Sequence, residues 1–171
     1  MRTMAAAFAT SIVIGSNRGI GLELCKQLHA RGDRVVGVCR KASDELKGLG
    51  LWKVVEGVDV AKEEEVRSLA ALDLGGGVVD NMWLNAGIGD GIEDSLENLD
   101  YAQIERSFQV NAMGPLRCVQ TMLPCLKKGS KVSGLCKKEE AELEVLMTIS
   151  HPFLYIYLDS PCNLENGLGG R

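Results

Sequence analysis

Residues 12–21 read Ile-Val-Ile-Gly-Ser-Asn-Arg-Gly-Ile-Gly, and this stretch decides the fold. The run that ends at Ile14 is rich in β-branched apolar residues, which predicts a strand buried on both faces. Gly15 ends the strand, and Gly19 and Gly21 open the next segment. Apolar residues at four-residue spacing then predict an amphipathic helix, namely Ile20, Leu24 and Leu28.

A strand, a glycine turn and a helix in this order form a cradle for nucleotide phosphates. Glycines let the backbone approach a pyrophosphate closely, and free N–H groups at the helix start receive its charge. The spacing is Gly-x-x-x-Gly-x-Gly, and no Gly-Lys-Ser/Thr follows, so the turn is not a P-loop. The alternative is a tight turn that uses three glycines for its shape alone.

Composition places the chain among ordinary globular proteins. It has 171 residues, enough for one domain with a sizeable core, with 46% hydrophobic and 25% charged residues. A net charge of −4 disfavours nucleic-acid binding, and no apolar run is long enough for a membrane span. The apolar residues of positions 1–10 continue into the first strand, so we expect no cleaved leader and a cytoplasmic location.

The six cysteines indicate neither a metal site nor disulfides. No Cys-x-x-Cys pair occurs, and the two histidines lie far from any cysteine pair in sequence. We therefore predict no metal and free thiols in a reducing compartment.

Strands alternate with helices over the first 132 residues, which predicts an α/β fold. The predicted strands are 11–14, 34–39, 52–58 and 78–85, with a fifth beginning at 129–132; the predicted helices are 18–31, 61–72 and 101–127, with a shorter one within 41–50. Pro115 and Pro124 predict a kink or an early end in the longest helix. This order implies a doubly wound parallel sheet, with the glycine turn at its carboxyl edge and topological switch point.

The character of the sequence changes after Val132. Residues 137–146 are highly charged and are interpreted as a helix, and nothing in the tail continues the alternation of strand and helix. We accordingly predict a nucleotide-binding domain over residues 1–132 and a divergent tail over 133–171.

Two arginines indicate which dinucleotide binds. Arg18 lies in the glycine turn, and Arg40 directly follows the second strand, whose end faces the adenosine ribose in a doubly wound sheet. A guanidinium group suits a 2′-phosphate, whereas NAD would be matched by an acidic residue there. NADP(H) is therefore favoured over NAD(H). Each arginine taken singly is better explained as a surface charge, but the two together beside this glycine turn favour a phosphate-binding role.

Further polar residues follow the later strands. Asp59 ends the third strand, where it is expected either to bond an adenine amino group or to cap the next helix. Asn85, Ala86 and Gly87 end the fourth strand. Asn111 falls among apolar residues within a helix, and it either needs polar partners or occupies an exposed position.

Taken as an ordered set over about residues 11–132, these features resemble the short-chain dehydrogenase/reductase family, above all its carbonyl-reductase-type members. The resemblance implies a Rossmann-like sheet, incomplete at the C-terminal side, and carbonyl or alcohol oxidoreduction with a nicotinamide dinucleotide. It assigns Asn111 to the catalytic set. Ile14 replaces the family's Thr, and Leu84 replaces the first Asn of Asn-Asn-Ala-Gly. The cofactor residues it assigns are Gly15, Ser16, Asn17, Arg18, Gly19, Ile20, Gly21, Arg40, Asp59, Val60, Asn85, Ala86 and Gly87.

The family's Ser and Tyr-x-x-x-Lys are not recognisable. None of the three tyrosines (Tyr101, Tyr155 and Tyr157) has a lysine four residues later, and Ser130 and Ser133 lie where the chain diverges. A carbonyl that accepts hydride needs a nearby acid, so the first interpretation is a truncated NADP(H)-binding protein with weak or no activity.

Two alternatives remain open. One is an active reductase that uses Tyr155, Tyr157 or a partner chain as a substitute acid on a carbonyl or alcohol substrate. The other is a non-enzymatic regulatory protein or an unstable product. A second copy of the chain is a further candidate partner in any of these cases.

Overall fold

A seven-stranded sheet forms the centre of the molecule. The computed structural model describes residues 8–89, 96–138, 141–150 and 153–158. The strands are β1 (Thr10–Ile14), β2 (Arg34–Val38), β3 (Lys53–Val55), β4 (Val79–Leu84), β5 (Leu126–Lys138), β6 (Ala141–Ser150) and β7 (Phe153–Leu158). Their order is β3-β2-β1-β4-β5-β6-β7. The first five are parallel, and β6 and β7 are added antiparallel.

Helices cover both faces of the parallel part. They are α1 (Gly19–Ala30), α2 (Asp44–Gly48), α3 (Glu63–Arg67), α4 (Tyr101–Phe108) and α5 (Gly114–Met122). Short 3-10 turns occupy Ser68–Ala71, Leu96–Asn98 and Leu123–Cys125, and a π-helical turn, Gln109–Met113, joins α4 to α5.

Alternating side chains of the central strands build two cores. Val13 and Val35 point towards α1 and α2, where they pack with Cys25 and Leu46. Their neighbours Ile12, Ile14, Val36 and Val38 pack on the other face with residues of α3 and α5. Burial on both faces explains the continuous apolar runs of β1 and β2, and it confirms the doubly wound α/β class.

From β1 the chain adds β2 and β3 on one side of the sheet and then β4 and β5 on the other, so β1 lies between β2 and β4. A crevice therefore opens at the carboxyl ends of β1 and β4, as the topology predicts. The glycine turn follows β1, and Asn85 follows β4, so both lie at this crevice.

The long predicted helix has a more complex course. The π-helical turn interrupts it before Pro115, and the α-helical part ends at Met122, before the 3-10 turn that contains Pro124. The early end is thus confirmed, and residues 126–127 already belong to β5. Pro115 lies in the first turn of α5, directly after the π-helical turn.

The helix predicted over residues 137–146 is wrong. Lys137 and Lys138 end β5, and Ala141 to Leu146 begin β6, which pairs back on β5. Residues 142–145 alternate acidic and apolar, Glu-Leu-Glu-Val, which is the period of a strand rather than of a helix. Val132, where the sequence changes character, pairs with Met82 of β4 and Met147 of β6, so the sheet continues across it.

Candidate functional site

The glycine turn bends sharply after β1 and rests on β2. The amides of Gly15 and Ser16 both donate to the carbonyl of Val38, at 2.8 and 3.1 Å. Gly15 has φ +90°, and a Cβ on it would lie 2.6 Å from the backbone nitrogen of Ala86. Positive φ and close backbone contact both require glycine here.

Helix α1 packs directly on this turn. A Cβ on Gly21 would lie 2.1 Å from the carbonyl oxygen of Gly15 and 2.5 Å from Nδ2 of Asn85. That amide donates to the same Gly15 oxygen at 2.9 Å, and the Asn85 backbone N–H donates to Ile14 at 2.9 Å. Gly21 and Asn85 therefore fix the start of the helix against the end of β4.

The first turn of α1 is left open for an anion. Arg18 is the N-cap residue and its side chain makes no capping bond, and the first turn contains no acidic residue. The N–H groups of Gly19, Ile20 and Gly21 have no partner within the helix. Such a helix end attracts negative charge through its N–H groups and its dipole.

A cavity of about 680 Å³ lies in front of this helix end, a volume in the range of small-molecule and cofactor sites. Its walls come from the carboxyl ends of β1, β2 and β4 and from the segment after β3. The lining residues are Ile14, Gly15, Asn17, Arg18, Gly19, Ile20, Cys39, Arg40, Lys41, Val58, Asp59, Val60, Asn85, Ala86, Gly87, Ile88 and Val110.

The cavity is lined by both cationic and apolar residues. The cations are Arg18, Arg40 and Lys41, and all three are exposed. Ile14, Ala86, Ile88 and Val110 also line it. One feature points to a ligand that donates a hydrogen bond: Oδ1 of Asn17 is buried and has no hydrogen-bond partner among the described residues.

Asp59 and Val60 both line the cavity, beside the end of β3. The Asp59 carboxylate accepts from the N–H of Ala61 at 3.0 Å, while its own N–H donates to Glu65 at 2.8 Å. Helix α3 begins later, at Glu63, and its N-cap residue is Lys62. Asp59 therefore shapes the turn before the helix and does not occupy the cap position.

Asn111 braces the loop after β4. Its Oδ1 accepts from the N–H of Ile88 at 2.9 Å, and its Nδ2 donates to the carbonyl of Ile88 at 2.8 Å and to Ser107 at 3.3 Å. It lies in the π-helical turn, is exposed, and is not among the cavity-lining residues. Its amide thus has polar partners, and Ile88 itself lines the cavity.

The sequence-predicted cofactor residues are largely brought together. Of that set, only Ser16 and Gly21 do not line the cavity. Ser16 is fully buried beneath the turn, where its hydroxyl donates to Val38 at 3.1 Å. Both residues therefore support the turn from behind.

Sequence reasoning missed Cys39, Lys41, Val58, Ile88 and Val110, which line the cavity, and Gly114, which packs behind Val60. Lys41 adjoins Arg40 in the sequence, and its charge was a usable signal. A Cβ on Gly114 would lie 2.8 Å from Cγ2 of Val60, so this glycine lets α5 approach the cavity wall. Burial raises the pKa of the Cys39 thiol, although the Ser16 hydroxyl opposes the shift, so Cys39 is a poor nucleophile.

The described residues of the cavity include no serine or tyrosine suited to protonate a substrate. Ser130 is buried, and its hydroxyl donates to Val79 at 2.6 Å, so it holds β5 to β4. Ser133 is buried and pairs with Trp83. Neither lines the cavity, and Tyr101 is exposed at the start of α4.

Tyr155 and Tyr157 belong to β7, at the far edge of the sheet from the cavity. Through successive strand pairs, Tyr157 stands in register with Leu146, Ser133 and Trp83. Three strand spacings separate the backbones of Tyr157 and Trp83 by roughly 14 Å. The backbone of β7 is thus remote from the turn that follows β4.

Metal sites and membrane-spanning helices are two other features that would indicate a function. Within the residues that the structure describes, no group of His, Cys, Asp and Glu side chains is arranged to hold a metal ion. No helix in those ranges is long and apolar enough to cross a membrane.

Comparison with known proteins gives a consistent picture. A family model described as short chain dehydrogenase matches residues 9–134. The chain is 35% identical over 132 residues to 1-hydroxy-2-glutathionyl-2-methyl-3-butene dehydrogenase of Rhodococcus sp. (strain AD45), covering 72% of this chain and 54% of that protein. It is 31% identical to (+)-neomenthol dehydrogenase of Arabidopsis thaliana, covering 68% and 49%.

Solved structures give the same result. A carbonyl reductase from Pseudomonas aeruginosa PAO1 in complex with NADP superposes with a TM-score of 0.70 at 25% identity, over 77% of this chain and 60% of that one. The RhlG/NADP complex of the same species gives 0.65 at 28% identity, over 75% and 54%. The chain spans about half the length of the curated relatives that it matches.

Proposed function

Because the chain belongs to the short-chain dehydrogenase family, we propose that it binds NADP(H) in the cavity at the carboxyl end of the sheet, with little or no turnover. The proposal is carried by one observation: the uncapped N-terminus of α1 and the cations Arg18 and Arg40 meet at the same cavity. An anionic dinucleotide with a third phosphate matches that arrangement.

The residues present fit the cofactor. Gly19 has open space where a Cβ would project, and the buried Oδ1 of Asn17 needs a donor such as a ribose hydroxyl. The amides of Gly19 and Ile20 would hold the pyrophosphate, and Arg18 with Arg40 would hold the 2′-phosphate. Asp59 and Val60 would contact the adenine, and residues 85–87 would complete the wall. Bound NADPH supplies a hydride for carbonyl reduction, the reaction of the proposed ancestry.

The proposal of weak or absent turnover rests on the cavity-lining residues that the structure describes, none of which is a serine or a tyrosine. Hydride transfer to a carbonyl leaves negative charge on its oxygen, which requires a proton donor within hydrogen-bond reach. Asn111 does not line the described cavity and acts on it only through its hydrogen bonds to Ile88. The backbone of Tyr157 stands three strands away from Trp83, which disfavours it as a substitute acid.

A reducing compartment, the cytoplasm, is part of the same proposal. Four of the cysteines are free thiols in the structure: Cys25, Cys39, Cys118 and Cys125. Burial raises the pKa of Cys25 and of Cys118 to about 12, which protects both thiols from oxidation.

Calorimetric titration of the Arg40→Asp variant tests the cofactor assignment. Loss of a charge-assisted bond, with repulsion added, should weaken NADPH binding by about 10- to 100-fold. NADH affinity should stay the same or rise, since NADH has no 2′-phosphate and an acidic residue at this position suits its ribose 2′-hydroxyl. Lys128→Asp is the matched control, because it makes the same change of charge on an exposed residue outside the cavity.

If both variants weakened NADPH binding equally, the effect would come from net charge alone, and the role of Arg40 would be refuted. Turnover is tested separately by following NADPH oxidation with a panel of aldehydes and ketones. Rates of about 1 s⁻¹ or more, within the ordinary enzymatic range, would refute the proposal of weak turnover.

A further inference from the structure

The segment Arg40–Ser43, here called the strap, joins β2 to α2 along one side of the cavity. It carries two of the three cations that line the cavity, Arg40 and Lys41, whereas the third, Arg18, belongs to the glycine turn. The spacing between these two loops therefore determines whether their charges can converge on one phosphate group.

Most contacts of the strap lead away from the glycine turn. The N–H of Gly57 donates to the carbonyl of Arg40 at 3.0 Å, and the N–H of Ala42 donates to the Glu56 carboxylate at 2.9 Å. Glu56 is in turn paired with Lys47 at 3.0 Å, which lowers the pKa of the carboxyl and keeps it charged. These bonds tie the strap to the end of β3 and to α2.

Ser43 makes the connection across to the turn. Its hydroxyl donates to the carbonyl of Asn17 at 3.0 Å and accepts from the N–H of Leu46 at 3.2 Å. Asn17 immediately precedes Arg18, and both residues line the cavity. One hydroxyl thus caps α2 and also fixes the strap relative to the backbone that carries Arg18.

We propose that Ser43 is a positioning residue for cofactor choice: its bond to Asn17 sets the distance between the strap and the glycine turn that a 2′-phosphate requires. This rests on the proposed NADP(H) function. NADH has no phosphate at that position, so its binding does not need the two sets of cations to converge. Loss of the Ser43 bond should therefore weaken NADPH selectively.

The test is a set of calorimetric titrations of the full chain with NADPH and with NADH. Ser43→Gly is the main variant, because glycine is tolerated at a helix N-cap and removes the hydroxyl. We expect its NADPH dissociation constant to rise about three- to tenfold, the effect of one hydrogen bond, with less than a twofold change for NADH. Ser43→Thr, which keeps the hydroxyl, should retain the wild-type preference.

Two further variants separate positioning from stability. Ser68→Ala is the matched control, because the Ser68 hydroxyl bonds the carbonyl of Glu65 on an exposed surface away from the cavity. It should leave both dissociation constants unchanged. If Ser43 acts through the strap, adding Ser43→Gly to Arg40→Ala should have less than a twofold further effect on NADPH.

The outcomes are distinct. A Ser43→Gly variant that keeps the wild-type NADPH preference, or that weakens both nucleotides equally, overturns the role of Ser43 and leaves the cofactor assignment intact. A wild-type protein that binds NADPH no better than NADH refutes the proposed NADP(H) function, and the role of Ser43 falls with it.

Discussion

Replacing Gly21 by alanine should separate α1 from the glycine turn. The new methyl group would lie 2.1 Å from the Gly15 carbonyl oxygen and 2.5 Å from Nδ2 of Asn85, and both atoms belong to the 2.9 Å hydrogen bond that joins turn to β4. Ordinary carbon contacts begin near 3.4 Å, so the helix must move outward by about 1 Å or the bond must break.

Overpacking of this kind costs about 1–3 kcal/mol, and loss of the hydrogen bond adds about 1 kcal/mol. The sum of roughly 2–4 kcal/mol should lower the melting temperature by about 4–16 °C for a domain of this size. Circular dichroism melts measure the shift, and titration with NADPH measures the accompanying loss of affinity.

Gly48→Ala is the matched control. Gly48 lies in α2, and a Cβ there meets nothing within 4 Å. Alanine should leave the melting temperature unchanged or raise it slightly, because glycine is a poor helix former. Equal melting temperatures and equal NADPH affinities for Gly21→Ala and wild type would refute the packing account of the site.

Three further predictions concern the walls of the site and the base of the sheet. Gly114→Ala should destabilise the fold by about 1–3 kcal/mol in urea unfolding, because its methyl would lie 2.8 Å from Cγ2 of Val60; unchanged unfolding would contradict the close helix packing. Asn111→Ala should cost about 1–2 kcal/mol in the same assay, since both backbone groups of Ile88 lose their partner. The Arg31 guanidinium, bonded to Asp33, holds the pKa of that carboxyl below its usual range. The ionised Asp33 therefore stabilises the fold above about pH 4, and this stabilisation is lost as the pH falls further. Asp33→Asn should therefore lower stability at pH 7 and flatten the acid limb of a melting-temperature profile, and an unchanged acid limb would exclude Asp33 as a source of acid sensitivity.

The parallel part of the fold was predictable from local signals. β1 and β2 are buried on both faces, so their sequences are continuous apolar runs that cannot be confused with surface strands. Gly15 and Gly21 each meet backbone or side-chain atoms too closely for any other residue, so their positions in the sequence carry the geometry of the turn.

The antiparallel strands β6 and β7 were not predicted, because the many charged residues of β6 indicated a helix more strongly than the two-residue alternation of its apolar residues indicated a strand. Residues 142–145 alternate with period two, yet their glutamates and the adjacent lysines favoured a helix. The course of α4 and α5 was predicted only in part. Pro124 indicated that α5 ends early, whereas no local residue type signals the π-helical turn at Gln109–Met113.

Within the site, residues adjacent in the sequence were easier to find than residues brought together by folding. Arg18 and Arg40 follow predicted strands, so their meeting at one sheet edge could be inferred. The bond from Ser43 to Asn17, 26 residues apart, depends on how α2 turns back towards the glycine loop. No sequence pattern of period or spacing encodes that contact.

The most direct test of the account is a pair of calorimetric titrations of the wild-type chain with NADPH and NADH, on material that a cooperative melt shows to be folded. We predict that both nucleotides bind at the same site and that NADPH binds more tightly, because the amides at the start of α1 hold the pyrophosphate and the two arginines hold the extra phosphate. Folded protein that releases no heat and shows no change in tryptophan fluorescence with either nucleotide at millimolar concentration would contradict it.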